Sequence, residues 1–136
     1  ITNEINHVEA YLEIEKARFG DKLKVEYDIH CDNFQLPHLT LQPLVENAVK
    51  HGIYPKREGG TIKIQTLEAD YSYSIQIEDD GVGFDYPANN PKGDGIGIKN
   101  VDKRLRSIYG DDFGLRIDSK RNVGTKISID IPKRSA

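Results

Sequence analysis

Four polar side chains crowd six positions of residues 36–53, LPHLTLQPLVENAVKHGI: Glu46, Asn47, Lys50 and His51. On an α-helix Asn47 and Lys50 share a face, and His51 lies one turn beyond Asn47. An amide beside two groups that can carry positive charge can hold a metal ion and phosphates. Three glycine-containing stretches could complete such a site. Asp79-Asp80-Gly81-Val82-Gly83 is a D-x-G-x-G at the end of an alternating run. Its carboxylate can accept from an exocyclic amine, and its glycines let backbone approach a flat base. Gly93-Asp94-Gly95-Ile96-Gly97-Ile98 leads into a helical pattern, where bare backbone N–H groups and the macrodipole favour phosphate. Gly124-Thr125 opens the last strand pattern.

Each glycine motif alone is weak, because a G-x-G-x-G is more often a turn than a nucleotide site. A dinucleotide fingerprint is excluded at Gly93, Gly95 and Gly97: they follow a long loop rather than a strand, and the βαβ context is missing.

The helices and strands that carry these residues follow from hydrophobic period. Leu41, Leu44, Val45, Ala48 and Val49 recur at three- and four-residue spacing, one buried helix face. Pro43 belongs in a first turn, so this helix should start around residues 40–42, with Gly52 placed to stop it. Residues 3–19 read as a helix with Ile5, Val8, Leu12 and Phe19 at near-heptad spacing, broadened by Tyr11 and Ile14. Asn3 is its candidate cap and Gly20-Asp21 its end. It either covers the domain's own core or continues an upstream helical bundle. Leu23, Val25, Tyr27 and Ile29 alternate with polar residues and read as a half-buried strand. Ile62 and Ile64 mark a second strand. Tyr71, Tyr73, Ile75 and Ile77 mark a third, with Asp79 on the same face. A carboxylate ending a core-facing row should meet a hydrogen-bond donor. Residues 81–97 read as a loop, then Ile98, Val101, Leu105, Ile108 and Tyr109 as a helix ending at Gly110. Strands over 113–118 and 126–131, joined by a turn near 122–124, close the chain. The order α, β, α, β, β, loop, α, β, β predicts an α+β fold, helices packed on one face of a mixed or antiparallel sheet.

Composition narrows the class. At 136 residues, 37% hydrophobic and 30% charged, the chain is one soluble-type globular domain. A net charge of −3 supplies no basic field for nucleic acid. The lone Cys31 excludes an internal disulfide framework and fits a reducing compartment. No apolar run approaches the roughly 20 residues of a bilayer span, and no leader-like segment is present. The absence of Met and the start at Ile1 lead to the expectation of a segment of a longer protein.

In this order, YLEIEKARFGDKL, LPHLTLQPLVENAVKHG, EDDGVGF, GIGIKNVDKRLRSIYG and GTKISIDIP resemble the ATP-binding domain shared by gyrase, Hsp90, MutL and histidine kinases. They resemble in particular the sensor histidine kinases of the LytS/YesM type. The resemblance implies a two-layer Bergerat α/β sandwich over residues 21–136, with residues 1–20 the remnant of a linker or dimerisation helix. It implies ATP and Mg²⁺ as ligands. Asn47 matches the asparagine that helps coordinate Mg²⁺, and Lys50 and His51 match phosphate-facing positions. A solvated helix charge is the alternative for Lys50. Asp79 matches the aspartate that accepts from the adenine amino group, and Gly81 and Gly83 shape the base pocket. Gly95, Gly97 and Ile98 match the phosphate-side loop and the start of its helix. Thr125 matches a threonine near adenine that could join a water relay with Asp79. Residues 84–94 match a lid. Lys92, Lys99 and Arg104 could reach phosphate or be ordinary surface charges.

Two departures matter. ATP-hydrolysing relatives carry a water-activating glutamate one turn before the asparagine, where this chain has Pro43. Glu46 is rotated about 100° from that position. A second asparagine, common there in other histidine kinases, is absent too. None of His7, His30, His38 or His51 has the H-F-L-x-N context of a phosphoacceptor. The resemblance therefore implies the catalytic domain of a two-component sensor histidine kinase, passing phosphate to a histidine on an upstream domain. The alternatives are a degenerate nucleotide-binding module and a GHKL-type ATPase. Expected partners are the upstream dimerisation and phosphoacceptor domain and, indirectly, a response regulator. The expected parent is a membrane-anchored homodimer with this domain in the cytoplasm, and no nucleic-acid partner is expected.

Overall fold

The alternating runs become strands of a five-stranded sheet. The computed structural model describes residues 2–31, 34, 40–53, 59–81, 95–120 and 123–133; for 2, 3, 51, 52 and 95–97 it describes backbone alone. Helix α1 spans Thr2–Phe19 and is followed by strand β1, Leu23–Ile29. Helix α2 spans Leu41–Asn47 and runs on into a π-helical stretch, Ala48–Ile53. Strands β2, Gly60–Glu68, and β3, Ser72–Asp79, precede helix α3, Gly95–Tyr109. Strands β4, Arg116–Lys120, and β5, Gly124–Pro132, complete the sheet in the order β1-β2-β3-β5-β4. β1 and β2 are parallel and the other neighbours antiparallel, so the sheet is mixed. Parallel neighbours need a crossover. α2 lies within it.

Register separates the two faces of the sheet. Val25, Ile62, Asp79, Thr125 and Ser119 stand in one cross-strand row, and Tyr27, Ile64, Ile77, Ile127 and Ile117 in the next. Both rows belong to the helix-covered face. Ile62, Ile64, Ile75, Ile77, Ile127 and Ile129 are buried there against Leu41, Leu44, Val45 and Val49. Burying one such side chain contributes about 1.5–3 kcal/mol. The other face carries Glu26, Lys63, Glu78, Lys126 and Asp118 in register, alternating in charge across all five strands. Opposite charges directly across a pair are favourable. A polar outer face and an apolar inner one give the expected two layers.

Helix α1 belongs to the helical layer. Val8 and Leu12 are fully buried in the common core, and Ile5 joins them. The Glu4 carboxylate, itself buried, accepts from the backbone N–H groups of Thr40 at 2.8 Å and Leu41 at 3.1 Å. Thr40 makes no side-chain cap of its own. The cap of α2 therefore comes from 36 residues upstream.

Several boundaries differ from the sequence expectation. α1 begins at Thr2, so Asn3 lies in its first turn rather than at its cap. Gly52 does not stop the second helix, because the π-helical stretch continues to Ile53, whose side chain is buried. Tyr71 precedes β3 and is 86% exposed. Phe113 lies in a 3-10 turn, Asp111–Phe113, and β4 starts later, at Arg116. The Asp102 carboxylate holds that connection, accepting from Leu115 N–H at 2.8 Å and from Arg106 Nε at 3.1 Å.

Candidate functional site

Asp79 closes β3 on the core face, where its side chain is 5% exposed. Its Oδ1 accepts the Gly81 N–H at 2.9 Å, a donor expected for a carboxylate in that row. Asp80 points to the opposite side and ties β3 to β2. It accepts the Thr61 N–H at 2.7 Å and donates its own N–H to Thr61 O at 3.3 Å. A Cβ on Gly60 would stand 2.3 Å from Asp80 Oδ1, so that glycine makes room for the tie. The two aspartates thus divide the work: one faces the core and the other clamps the strand that presents it.

Thr125 sits opposite Asp79 in the antiparallel register, and Ser119 opposite Thr125. All three are buried polar side chains. Ser119 Oγ and Thr125 Oγ1 are 2.7 Å apart, and Ser119 Oγ donates to Gly124 O at 3.2 Å. Gly124 has φ +138°, and a Cβ there would meet Asp79 O at 2.1 Å. Only glycine lets β5 approach the end of β3 this closely. A cleft of about 430 Å³ at this end of the sheet is lined by Glu78, Asp118, Lys120 and Lys126 together with Asp79, Gly124 and Thr125. The four charged residues belong to the outer face, so this cleft meets Asp79 and Thr125 from behind. It is not the space their side chains address.

Asn47 is the last residue of the regular part of α2. Its Oδ1 is buried and has no hydrogen-bond partner among the described residues. The helix changes register there: from Ala48 the turns are π-type, with hydrogen bonds reaching five residues. The expected α-helical spacing of Asn47, Lys50 and His51 therefore does not hold. Lys50 is exposed, and His51 is placed by its backbone within the π stretch. That stretch packs against β2, β3 and β5 through the buried Val49 and Ile53, on the face where Asp79 lies. π turns inside helices recur at functional sites.

Gly95 and Gly97 are not in a loop ahead of the third helix but in its first turn, since α3 begins at Gly95. The first N–H groups of a helix lack partners in it, and two glycines leave them uncovered. Ile98, 8% exposed, roots that turn in the core, and α3 packs against α2. Gly81 is buried beside Asp79. Gly83, Lys92 and the expected lid 84–94 lie outside the described residues. Lys99 is exposed at the start of α3, and Arg104 is half-buried.

Three contributors were missed in the sequence. Ser119 could have been found from alternation, because it falls in the core-facing phase of Ile117, the signal that marked Asp79. Asp80 and Glu4 carried no local signal, since their partners are distant in sequence.

The model of the histidine kinase-, DNA gyrase B- and HSP90-like ATPases matches residues 32–135. The sensor histidine kinase BtsS of Escherichia coli is 40% identical over 136 residues, covering 98% of this chain and 24% of BtsS. The sensor histidine kinase YesM of Bacillus subtilis is 38% identical over 141 residues, covering 99% of this chain and 24% of YesM. This chain thus spans about a quarter of the length of these relatives. The solved complex of histidine kinase ThkA with response regulator TrrA shares the fold at a TM-score of 0.72 and 15% identity, over 98% of this chain and 40% of that one. With its sheet, its buried Asp79 row and the match over residues 32–135, this chain belongs to the histidine kinase-, DNA gyrase B- and HSP90-like ATPase family.

Proposed function

We propose that this chain is the ATP-binding catalytic domain of a two-component sensor histidine kinase, donating the γ-phosphoryl group to a histidine on an upstream domain. The observation that carries this reading is the buried row Asp79–Thr125, held by Gly81 on one side and Gly124 on the other. It offers acceptor atoms to a flat base at the end of the sheet. In this reading Asp79 accepts from the adenine amino group, Thr125 lies beside it, and Gly81 and Gly83 leave room for the ring. Gly95, Gly97 and Ile98 present first-turn N–H groups to the phosphates, with Lys50 and His51 at phosphate-facing positions and Lys50 adding positive charge.

Asn47 fits a magnesium ligand: its amide oxygen is buried, lacks a partner among the described residues, and is a hard donor. Bound there with a triphosphate, Mg²⁺ would neutralise phosphate charge. Among the described residues no group of three His, Cys, Asp or Glu side chains could hold a metal by itself, which suits an ion shared with phosphate oxygens. Pro43 occupies the first turn of α2 and is no base, so positioning and charge neutralisation are this chain's contribution. The γ-phosphorus bonds to an upstream imidazole nitrogen as its bond to the ADP oxygen breaks.

We assign residues 21–136 to the ATP-binding domain and residues 1–20 to the end of the linking helix, docked on that domain by Val8, Leu12 and Glu4. The parent is assigned as a membrane-anchored homodimer with this domain in the cytoplasm and a response regulator downstream. No described helix is long and apolar enough to cross a membrane.

Calorimetric titration of ATP with Mg²⁺ tests the site. Asp79→Asn should weaken ATP binding at least tenfold, and Asn47→Asp should change its Mg²⁺ dependence. Binding of full strength by both variants overturns the site assignment. A longer chain carrying the upstream helices should take radiolabel from ATP in an acid-labile form. Acid-stable label, or none, overturns the histidine-kinase reading.

A further inference from the structure

The Ser119–Thr125 hydroxyl pair bears on which base the site selects. Ser119 Oγ lies 3.2 Å from Gly124 O and 2.7 Å from Thr125 Oγ1. A carbonyl oxygen only accepts, and a serine hydroxyl has one proton to give. With that proton on Gly124 O, the shared contact is filled by the proton of Thr125. Thr125 Oγ1 then presents only lone pairs to anything else that approaches. Asp79, directly across the register, is likewise an acceptor as a carboxylate and already takes the Gly81 N–H.

We propose that Ser119 is a positioning and specificity-determining residue: by holding the Thr125 proton it makes the Asp79–Thr125 row accept only, selecting a purine with a 6-amino donor over one with a 6-oxo acceptor. This rests on the reading that the base lies at Asp79. A 6-oxo purine turns a lone pair at position 6 toward atoms that can only accept, while its N1–H donor lies one ring atom away, so the contact at position 6 is left unmatched and is rejected strongly. Without Ser119 the Thr125 hydroxyl is free to turn and donate, so the rejection weakens at that atom. Ser119 need not touch the nucleotide.

The test compares ATP, inosine triphosphate and purine riboside triphosphate, each with Mg²⁺, by competition on the 136-residue chain. The wild type should bind purine riboside triphosphate, which has neither donor nor acceptor at position 6, more tightly than inosine triphosphate. Equal binding of those two overturns the proposal without any variant. Ser119→Ala should lower the ATP-to-inosine-triphosphate affinity ratio about tenfold, partly by tightening inosine triphosphate, and Ser119→Thr should restore it. An unchanged ratio in Ser119→Ala overturns the proposal. If Asp79→Asn weakens ATP while Ser119→Ala leaves the ratio unchanged, the base site stands and Ser119's role falls. If Asp79→Asn leaves ATP binding intact, the base-site reading falls and takes this proposal with it.

Discussion

Replacing Glu4 with alanine should destabilise the domain by about 2–3 kcal/mol, although no sequence-local feature marks this residue. Its carboxylate accepts from two backbone N–H groups, Thr40 at 2.8 Å and Leu41 at 3.1 Å. Thr40 is 1% exposed and Leu41 fully buried, so water has little access to replace the lost acceptor. Truncating an N-cap costs about 0.5–2 kcal/mol, and a hydrogen bond to a charged group contributes about 1.5–3 kcal/mol. The macrodipole of α2 adds a few tenths, and the cost of burying the carboxylate offsets part of the sum. For 136 residues a loss of this size lowers the melting temperature by roughly 7–10 °C. Glu4→Gln keeps a neutral acceptor and should lie between wild type and Glu4→Ala. Urea unfolding followed by circular dichroism should show a lower midpoint with an unchanged slope. A Glu4→Ala variant within about 0.5 kcal/mol of wild type would mean that this carboxylate does not cap α2, because surface changes fall in that range. It would also leave α1 without its polar anchor to the helix that carries Asn47.

Deleting residues 1–20 should abolish cooperative folding. Ile5, Val8 and Leu12 together contribute about 5–9 kcal/mol of burial, comparable with the whole stability of a domain; a sharp unfolding transition in the shortened chain would contradict this. Gly124→Ala forces a Cβ to within 2.1 Å of Asp79 O at φ +138°, so a loss above about 3 kcal/mol in urea unfolding is expected, with weakened ATP binding. The Tyr27 phenol is pushed up to about 12, by burial first and then by Glu9 and Glu13. The unfolded phenol ionises near 10, so the folded state holds the proton more tightly and stability falls as pH rises from about 10 to 12. Tyr27→Phe should flatten that part of the urea midpoint–pH curve.

Hydrophobic period was sufficient for most elements. β1 spans the residues that alternation marked, and Asp79 sits on the face its phase demanded, because both signals come from adjacent residues. The helix starts were legible near Pro43 but not at Gly95. Glycine's low helix propensity pointed to a loop there, while in a first turn its cost is offset by packing through Ile98 and Val101. The five ordered motif blocks carried the family resemblance, since each is a local pattern.

The inventory of elements and the phase of the inward-facing residues are thus written in the local sequence. Which distant groups meet is settled only in the folded chain. Glu4 caps a helix 36 residues away. Asp80 clamps Thr61, and Ser119 engages Thr125 across a strand pair. The π turn after Asn47 is of the same kind, since α-helical periodicity cannot announce an extra residue that packing against β2, β3 and β5 accommodates. Period and propensity act over a few residues. Hydrogen-bond partners and registers between strands are chosen by the folded chain as a whole.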